Sequence, residues 1–276
     1  MKTKIIILSI LYLAISSCVN TENQEVKTEK PQNNVSNPRI ELEDYNKAIE
    51  KSINDENAYY NRACIKDELG DFRGAIEDYN KAIQLNPNFA EAYINRGVAR
   101  KNLNDFKKAI ADYDKAIQIN RNEAKAYYNR GIAKNAIADY RGATSDYRIA
   151  IEIYNNAIKL NPENDTAFYS RGIAKYELYD YKGAIDDFDK AIQLNPNDEK
   201  TYYNRAFAKF KLNDFKGEME DYNKAIEINP NYTKAYYNRG VAKFSSGDKT
   251  GACADWHKAG ELGLEKAYET IKLSCK

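Results

Sequence analysis

The chain has 276 residues, and its 42 Lys+Arg against 41 Asp+Glu leave a formal net charge of +1. That balance supplies no basic excess for nucleic acid or for an anionic membrane surface. Charged residues make up 30% and are interspersed, as on solvated helix faces, and one histidine in the whole chain gives little scope for acid–base or metal chemistry.

In chain order, Lys2 and Lys4 precede an apolar run, Ile5 to Ile15, that ends in Ser16-Ser17-Cys18. A positive start, an apolar middle and small residues before a cut describe a secretory signal over residues 1–17. Eleven apolar-rich residues are too few for an ordinary membrane-spanning helix. The ending Ile15-Ser16-Ser17-Cys18 resembles a bacterial lipoprotein box, which implies lipid attachment at Cys18 after cleavage; the alternative is a plain secretion signal that happens to contain a cysteine. Val19 rather than Asp comes next, which in enterobacterial lipoproteins implies passage to the outer membrane. The expected location is therefore exported and lipid-anchored to the bacterial envelope, at the outer membrane. Residues 18–39 are polar, with Pro31 and Pro38, and read as a flexible tether. About twenty such residues span roughly 25 Å.

Residues 40–55 carry Leu42, Tyr45, Ala48 and Ile49 at helical spacing and read as a solo helix covering the exposed end of a stack. From residue 56 one pattern recurs. Arg62, Arg96, Arg130, Arg171, Arg205 and Arg239 mark steps of 34, 34, 41, 34 and 34 residues. A fixed period of this size means a stacked repeat architecture rather than one globular core. The units run 56–89, 90–123, 124–164, 165–198, 199–232 and 233–266. Within each, two apolar-faced helices flank a turn. Gly70, Asn104, Asn213 and Gly247 suit the left-handed residue that ends the first helix. Asp71, Asp105, Asp139, Asp180, Asp214 and Asp248 come next in the turn, placed to cap the second helix. Pro87, Pro162, Pro196 and Pro230 close their units. The third unit is seven residues longer near Arg148–Tyr154, close to two whole helical turns. Residues 264–276 read as a closing helix.

Numbering each unit from its first residue, an aromatic stands at position 4, Gly or Ala at 8, Ala at 20, an aromatic at 24, Ala at 27 and Pro at 32. In the fourth unit these are Phe168, Gly172, Ala184, Phe188, Ala191 and Pro196. The chain resembles the tetratricopeptide repeat family over residues 40 to 276. The resemblance implies an all-α, right-handed superhelical α-solenoid of stacked antiparallel helix pairs. It also implies a scaffold for other proteins or extended peptides.

Position 7 is Arg and position 23 is Asp in every unit. With the turn centred near position 15, an antiparallel pair brings them opposite, so Arg96 is expected to pair with Asp112, Arg130 with Asp146 and Arg239 with Asp255. Binding residues are then expected on the other side of the first helix. The candidates are the tyrosines Tyr128, Tyr169, Tyr203 and Tyr237 at position 5, Asn129, Asn204 and Asn238 at position 6, and Lys200 and Lys234 at position 2. Rigid aromatics and amides suit peptide recognition; the alternative is that the tyrosines pack between units. The fifth unit breaks pattern with Ala206 at position 8 and Glu218 at position 20. Cys64 reads as a packing residue, and Cys253 with Cys275 as a candidate disulfide near the end of an exported chain. No phosphate loop, nucleophile elbow or zinc spacing appears, so no catalytic, cofactor or metal site is expected. The functional expectation is a membrane-anchored scaffold or adaptor in the cell envelope. The alternatives are a module that captures one extended peptide and a non-catalytic subunit of an envelope enzyme complex.

Overall fold

The computed structural model describes residues 38–275; the expectations for residues 1–37, including the signal, Cys18 and most of the tether, lie outside them. The described residues are all-α, with helices α1 (Pro38–Lys51), α2 (Glu56–Glu68), α3 (Phe72–Leu85), α4 (Ala90–Asn102), α5 (Phe106–Ile119), α6 (Ala124–Ala136) and α7 (Tyr140–Leu160). They continue with α8 (Asp165–Glu177), α9 (Tyr181–Leu194), α10 (Glu199–Lys211), α11 (Phe215–Ile228), α12 (Thr233–Ser246), α13 (Lys249–Glu261) and α14 (Glu265–Ser274). The chain divides into two compact units at Ile153/Tyr154, inside α7. In one, α1 packs on α2, and α2/α3 and α4/α5 are helix pairs succeeded by α6 and the first part of α7. In the other, α8/α9, α10/α11 and α12/α13 are pairs and α14 packs on α13.

The turn between paired helices is built the same way throughout. Gly70, Asn104, Ala138, Tyr179, Asn213 and Gly247 all have positive φ, between 61° and 95°. Gly and Asn adopt this region readily. Ala138 and Tyr179 do not, and they hold it because the Asp after each locks the next helix. Asp71, Asp105, Asp139, Asp180, Asp214 and Asp248 each accept from the N–H three residues on, at 2.8–3.4 Å.

Each pair closes on a small residue against a ring. A Cβ added at Gly97 would lie 2.6 Å from the Tyr113 ring, at Gly131 2.6 Å from Tyr147, and at Gly172 2.8 Å from Phe188. At these three positions glycine lets the facing ring sit this close, while Ala63 and Ala206 hold position 8 opposite Tyr79 and Tyr222, which are also fully enclosed. Position 24 is buried everywhere, from Tyr79 at 0% to Trp256 at 2% exposure, and the alanines at 20 and 27 beside it are buried too. Glu218 takes that alanine's place in the fifth pair and is likewise buried.

The long helix α7 carries the pairing register twice. Asp146 receives Arg130 in one unit, and nine residues later Asn155 receives Arg171 in the other.

Candidate protein-binding surface

The position-7 arginines are directed into the seam between helices. Arg96 donates from Nη2 to Asp112 Oδ1 at 2.5 Å and from Nε to Oδ2 at 3.1 Å, and Arg100 Nη1 donates to Oδ2 at 2.7 Å. Arg130 with Lys134 holds Asp146, and Arg239 with Lys243 holds Asp255. The other three pairs repeat this at Asp78, Asp187 and Asp221. Each Asp thus meets two cations four residues apart on the facing helix.

The third arm of each arginine leaves its own pair. Nη1 donates to position 25 of the preceding second helix: Asn46, Asn80, Asp114, Asn155, Asp189 and Asn223, at 2.5–2.8 Å. The same guanidinium lies 5.2–5.6 Å from the ring at position 4. One side chain therefore ties together its own helix, its partner helix and the preceding pair. Burial works against the charge of Arg130 and Arg205, yet both are held above the ordinary arginine value by Asp146 with Asp114, and by Asp221 with Asp189.

The expected tyrosine and asparagine ladder is not an open surface. Tyr169, Tyr203 and Tyr237 are 9%, 1% and 3% exposed, and Asn129, Asn204 and Asn238 are 9%, 4% and 3% exposed. Tyr128 is half-buried. The reason is a seam between successive pairs. Asn204 Nδ2 donates to Tyr169 Oη at 2.8 Å, Asn238 Nδ2 to Tyr203 Oη at 2.8 Å, and Asn95 Nδ2 to Tyr60 Oη at 3.0 Å. The tyrosine rings also lean on position 24, with Tyr128–Tyr147 and Tyr203–Tyr222 centroids 5.8 and 5.9 Å apart. Asn129 marks where the seam is interrupted. The preceding position 5 is Ile94, which has no hydroxyl, and Asn129 Nδ2 donates instead to the carbonyl of Lys125 at 2.9 Å.

Sequence reasoning missed the last member of this seam. Helix α14 is the first half of a further pair: Ala267-Tyr268 stand at positions 3 and 4, and Thr270, at position 6, meets Tyr237 Oη at 3.1 Å. The signal was present but lay two residues early. The bond between Cys253 and Cys275 ties this helix to α13. Cys64 packs half-buried, with Tyr79 Oη donating to its Sγ at 3.5 Å.

Position 2 carries a repeated cation on three of the first helices. Lys200, Lys234 and Lys266 occupy it on α10, α12 and α14, all half-buried. Lys266 Nζ lies 5.5 Å from the Tyr237 ring. Phe210 and Phe244, at position 12 of α10 and α12, are half-exposed. In the other unit burial pushes Lys125 down and Glu123 up, while the carboxylates of Glu123 and Glu91 favour the lysine's charge. Among the described residues no group of three or more His, Cys, Asp or Glu is arranged to hold a metal ion.

Comparison with known proteins agrees with this construction. Models of the tetratricopeptide repeat match residues 90–123 and 135–199, and a model described as TPR repeat matches residues 68–104 and 208–247. The chain therefore carries tetratricopeptide repeats. A tetratricopeptide repeat protein from Parabacteroides merdae ATCC 43184 is similar at 22% identity, over 85% of this chain and 91% of that one, with a TM-score of 0.65. The APC/C hetero-tetramer Cut9–Hcn1 is similar at 14% identity, over 87% of this chain and 46% of that one, with a TM-score of 0.62. No curated protein matches the chain in sequence.

Proposed function

We propose that this chain is a membrane-anchored scaffold of the bacterial cell envelope that binds other proteins or extended peptides through its first helices. In this reading six tetratricopeptide repeats lie between Glu56 and Lys266, and lipid is carried on Cys18. The observation that carries the binding part is the lysine row. Lys200, Lys234 and Lys266 repeat at one register on three successive first helices, each half-buried, and Lys266 Nζ lies 5.5 Å from the Tyr237 ring. A row of cations at one register favours a partner segment that carries carboxylates. The anchoring part rests on Lys2, Lys4, the apolar run and Cys18. One lipid-bearing terminus holds a protein at a bilayer without a spanning helix.

Two measurements test this. A pull-down from envelope extracts compares the wild type with Lys200→Glu/Lys234→Glu/Lys266→Glu. Loss of specific proteins with an unchanged melting curve supports the lysine face, and an unchanged protein set overturns it. Metabolic labelling with a fatty-acid analogue compares wild type with Cys18→Ser. Label that persists in the variant overturns the anchor.

A further inference from the structure

Helix α1 has the register of a second helix, and among the described residues no first helix precedes it. Asp44, Tyr45, Asn46 and Ala48 hold the places that Asp78, Tyr79, Asn80 and Ala82 hold on α3. One flank is used in the ordinary way: Arg62 Nη1 donates to Asn46 at 2.8 Å, as Arg96 Nη1 donates to Asn80 at 2.7 Å. On the other flank Asp44 and Ala48 depart from the pattern. In the six pairs the carboxylate at this register is 2–6% exposed and meets two cations from the facing helix. Asp44 is 68% exposed, and its ion pair is with Lys47, one turn along the same helix, at 3.9 Å. Ala48 is half-buried, whereas its counterparts Ala82, Ala116, Ala150, Ala191, Ala225 and Ala259 are 0–3% exposed.

We propose that α1 accepts a first helix from a partner protein and so completes a further helix pair. The six existing pairs state the chemistry of the occupant. It is an amphipathic helix with an aromatic residue, an arginine three positions later, a small residue directly after it, and a lysine or arginine four positions after the first arginine. Its two cations grip Asp44 and its small residue faces Tyr45. The Asp44–Lys47 pair is solvent-exposed and long, so giving it up costs little. A carboxylate–dication contact enclosed on docking contributes much more.

Two other occupants match poorly. The α14 helix of a second copy carries Ile271 and Cys275 where the arginine and the second cation belong, and Cys275 is bonded to Cys253. Residues 1–37 contain no arginine. Position 20 of α1 is Glu41, as it is Glu218 in the fifth pair, where the facing helix has Ala206 rather than glycine. Helix α10 is therefore the template for a probe. The site is separate from the lysine row and does not depend on it.

The test is fluorescence anisotropy with a labelled peptide of the sequence Glu199–Lys211 titrated with the full chain. Asp44→Lys should weaken binding at least tenfold, with circular dichroism and melting unchanged because Asp44 is exposed. A peptide with Arg205→Glu and Lys209→Glu should prefer the Asp44→Lys chain to the wild type. No binding by the wild type, or equal affinity for Asp44→Lys, overturns the proposal. Self-association in sedimentation that Asp44→Lys abolishes also overturns it, in favour of a second copy as occupant.

Discussion

The two-cation seams make unequal predictions for equivalent aspartates. Asp187 and Asp221 occupy the same register, and each accepts from an Arg and a Lys. Asp187 is 4% exposed, with Arg171 at 2.5 Å and Lys175 at 2.8 Å; Asp221 is 3% exposed, with Arg205 at 2.5 Å and Lys209 at 2.9 Å. The difference lies in the third arm. Arg171 Nη1 meets Asn155, a neutral acceptor, whereas Arg205 Nη1 meets Asp189 at 2.5 Å. Removing one partner of a buried pair costs about 3–5 kcal/mol, because the other charge stays enclosed. The cations here are 16–21% exposed, which puts Asp187→Asn near the lower end, about 3 kcal/mol. Asp221→Asn leaves Arg205 a carboxylate and should cost about 2 kcal/mol. Trp256, the one tryptophan, lies in the same compact unit as both and reports its unfolding. In urea, with a slope of about 2 kcal/mol per molar, the fluorescence midpoints should fall by about 1.5 M and about 1 M. Equal midpoints, or the reverse order, would refute the third-arm argument.

Other outcomes rest on single residues. Tyr113 Oη is buried and has no hydrogen-bond partner among the described residues, so Tyr113→Phe should be neutral or stabilising by about 1 kcal/mol in circular dichroism melts; Phe188 already fills that register. Ala138 is strained by a positive φ of 63°, so Ala138→Gly should stabilise by about 1 kcal/mol, and a loss would show the turn is not strained. Cys275→Ser opens a cross-link of sequence separation 22 and should lower stability by about 3 kcal/mol, with no further change on adding reductant. Burial pushes the Glu177 carboxyl up to about 7 from its ordinary 4.5. The folded state thus favours the protonated form, and the stability this contributes is present below about pH 4.5 and falls as pH rises towards 7. Glu177→Gln should therefore stabilise more at pH 8 than at pH 5 in urea melts; an equal effect at both would refute it.

The period made the helix pairs legible, because position 7 and position 23 straddle a turn whose residues were themselves readable. The second cation was equally present in the sequence, four residues after every arginine, but a helix face with two cations reads first as solvated surface. The role of the tyrosines was not legible from spacing on one helix. Their partners lie 35 residues on, from Tyr169 to Asn204 and from Tyr203 to Asn238, and only the stacking of pairs brings those residues together. Ile94 and Asn129 show the coupling from the other side, since losing the hydroxyl turns the amide back on its own helix. Ala138 and Tyr179 could be assigned their left-handed backbone from their place in the repeat but not from residue preference.

The proposed face lies on the first helices, beside the lysine row, so a partner held there would leave the second helices bare. A photo-crosslinking amino acid placed at Lys234 on α12, and separately at His257, exposed on α13, tests this in envelope extracts. Specific crosslinked proteins are expected from position 234 and none from position 257. Crosslinks from 257 alone would contradict the proposed face and move binding to the second helices.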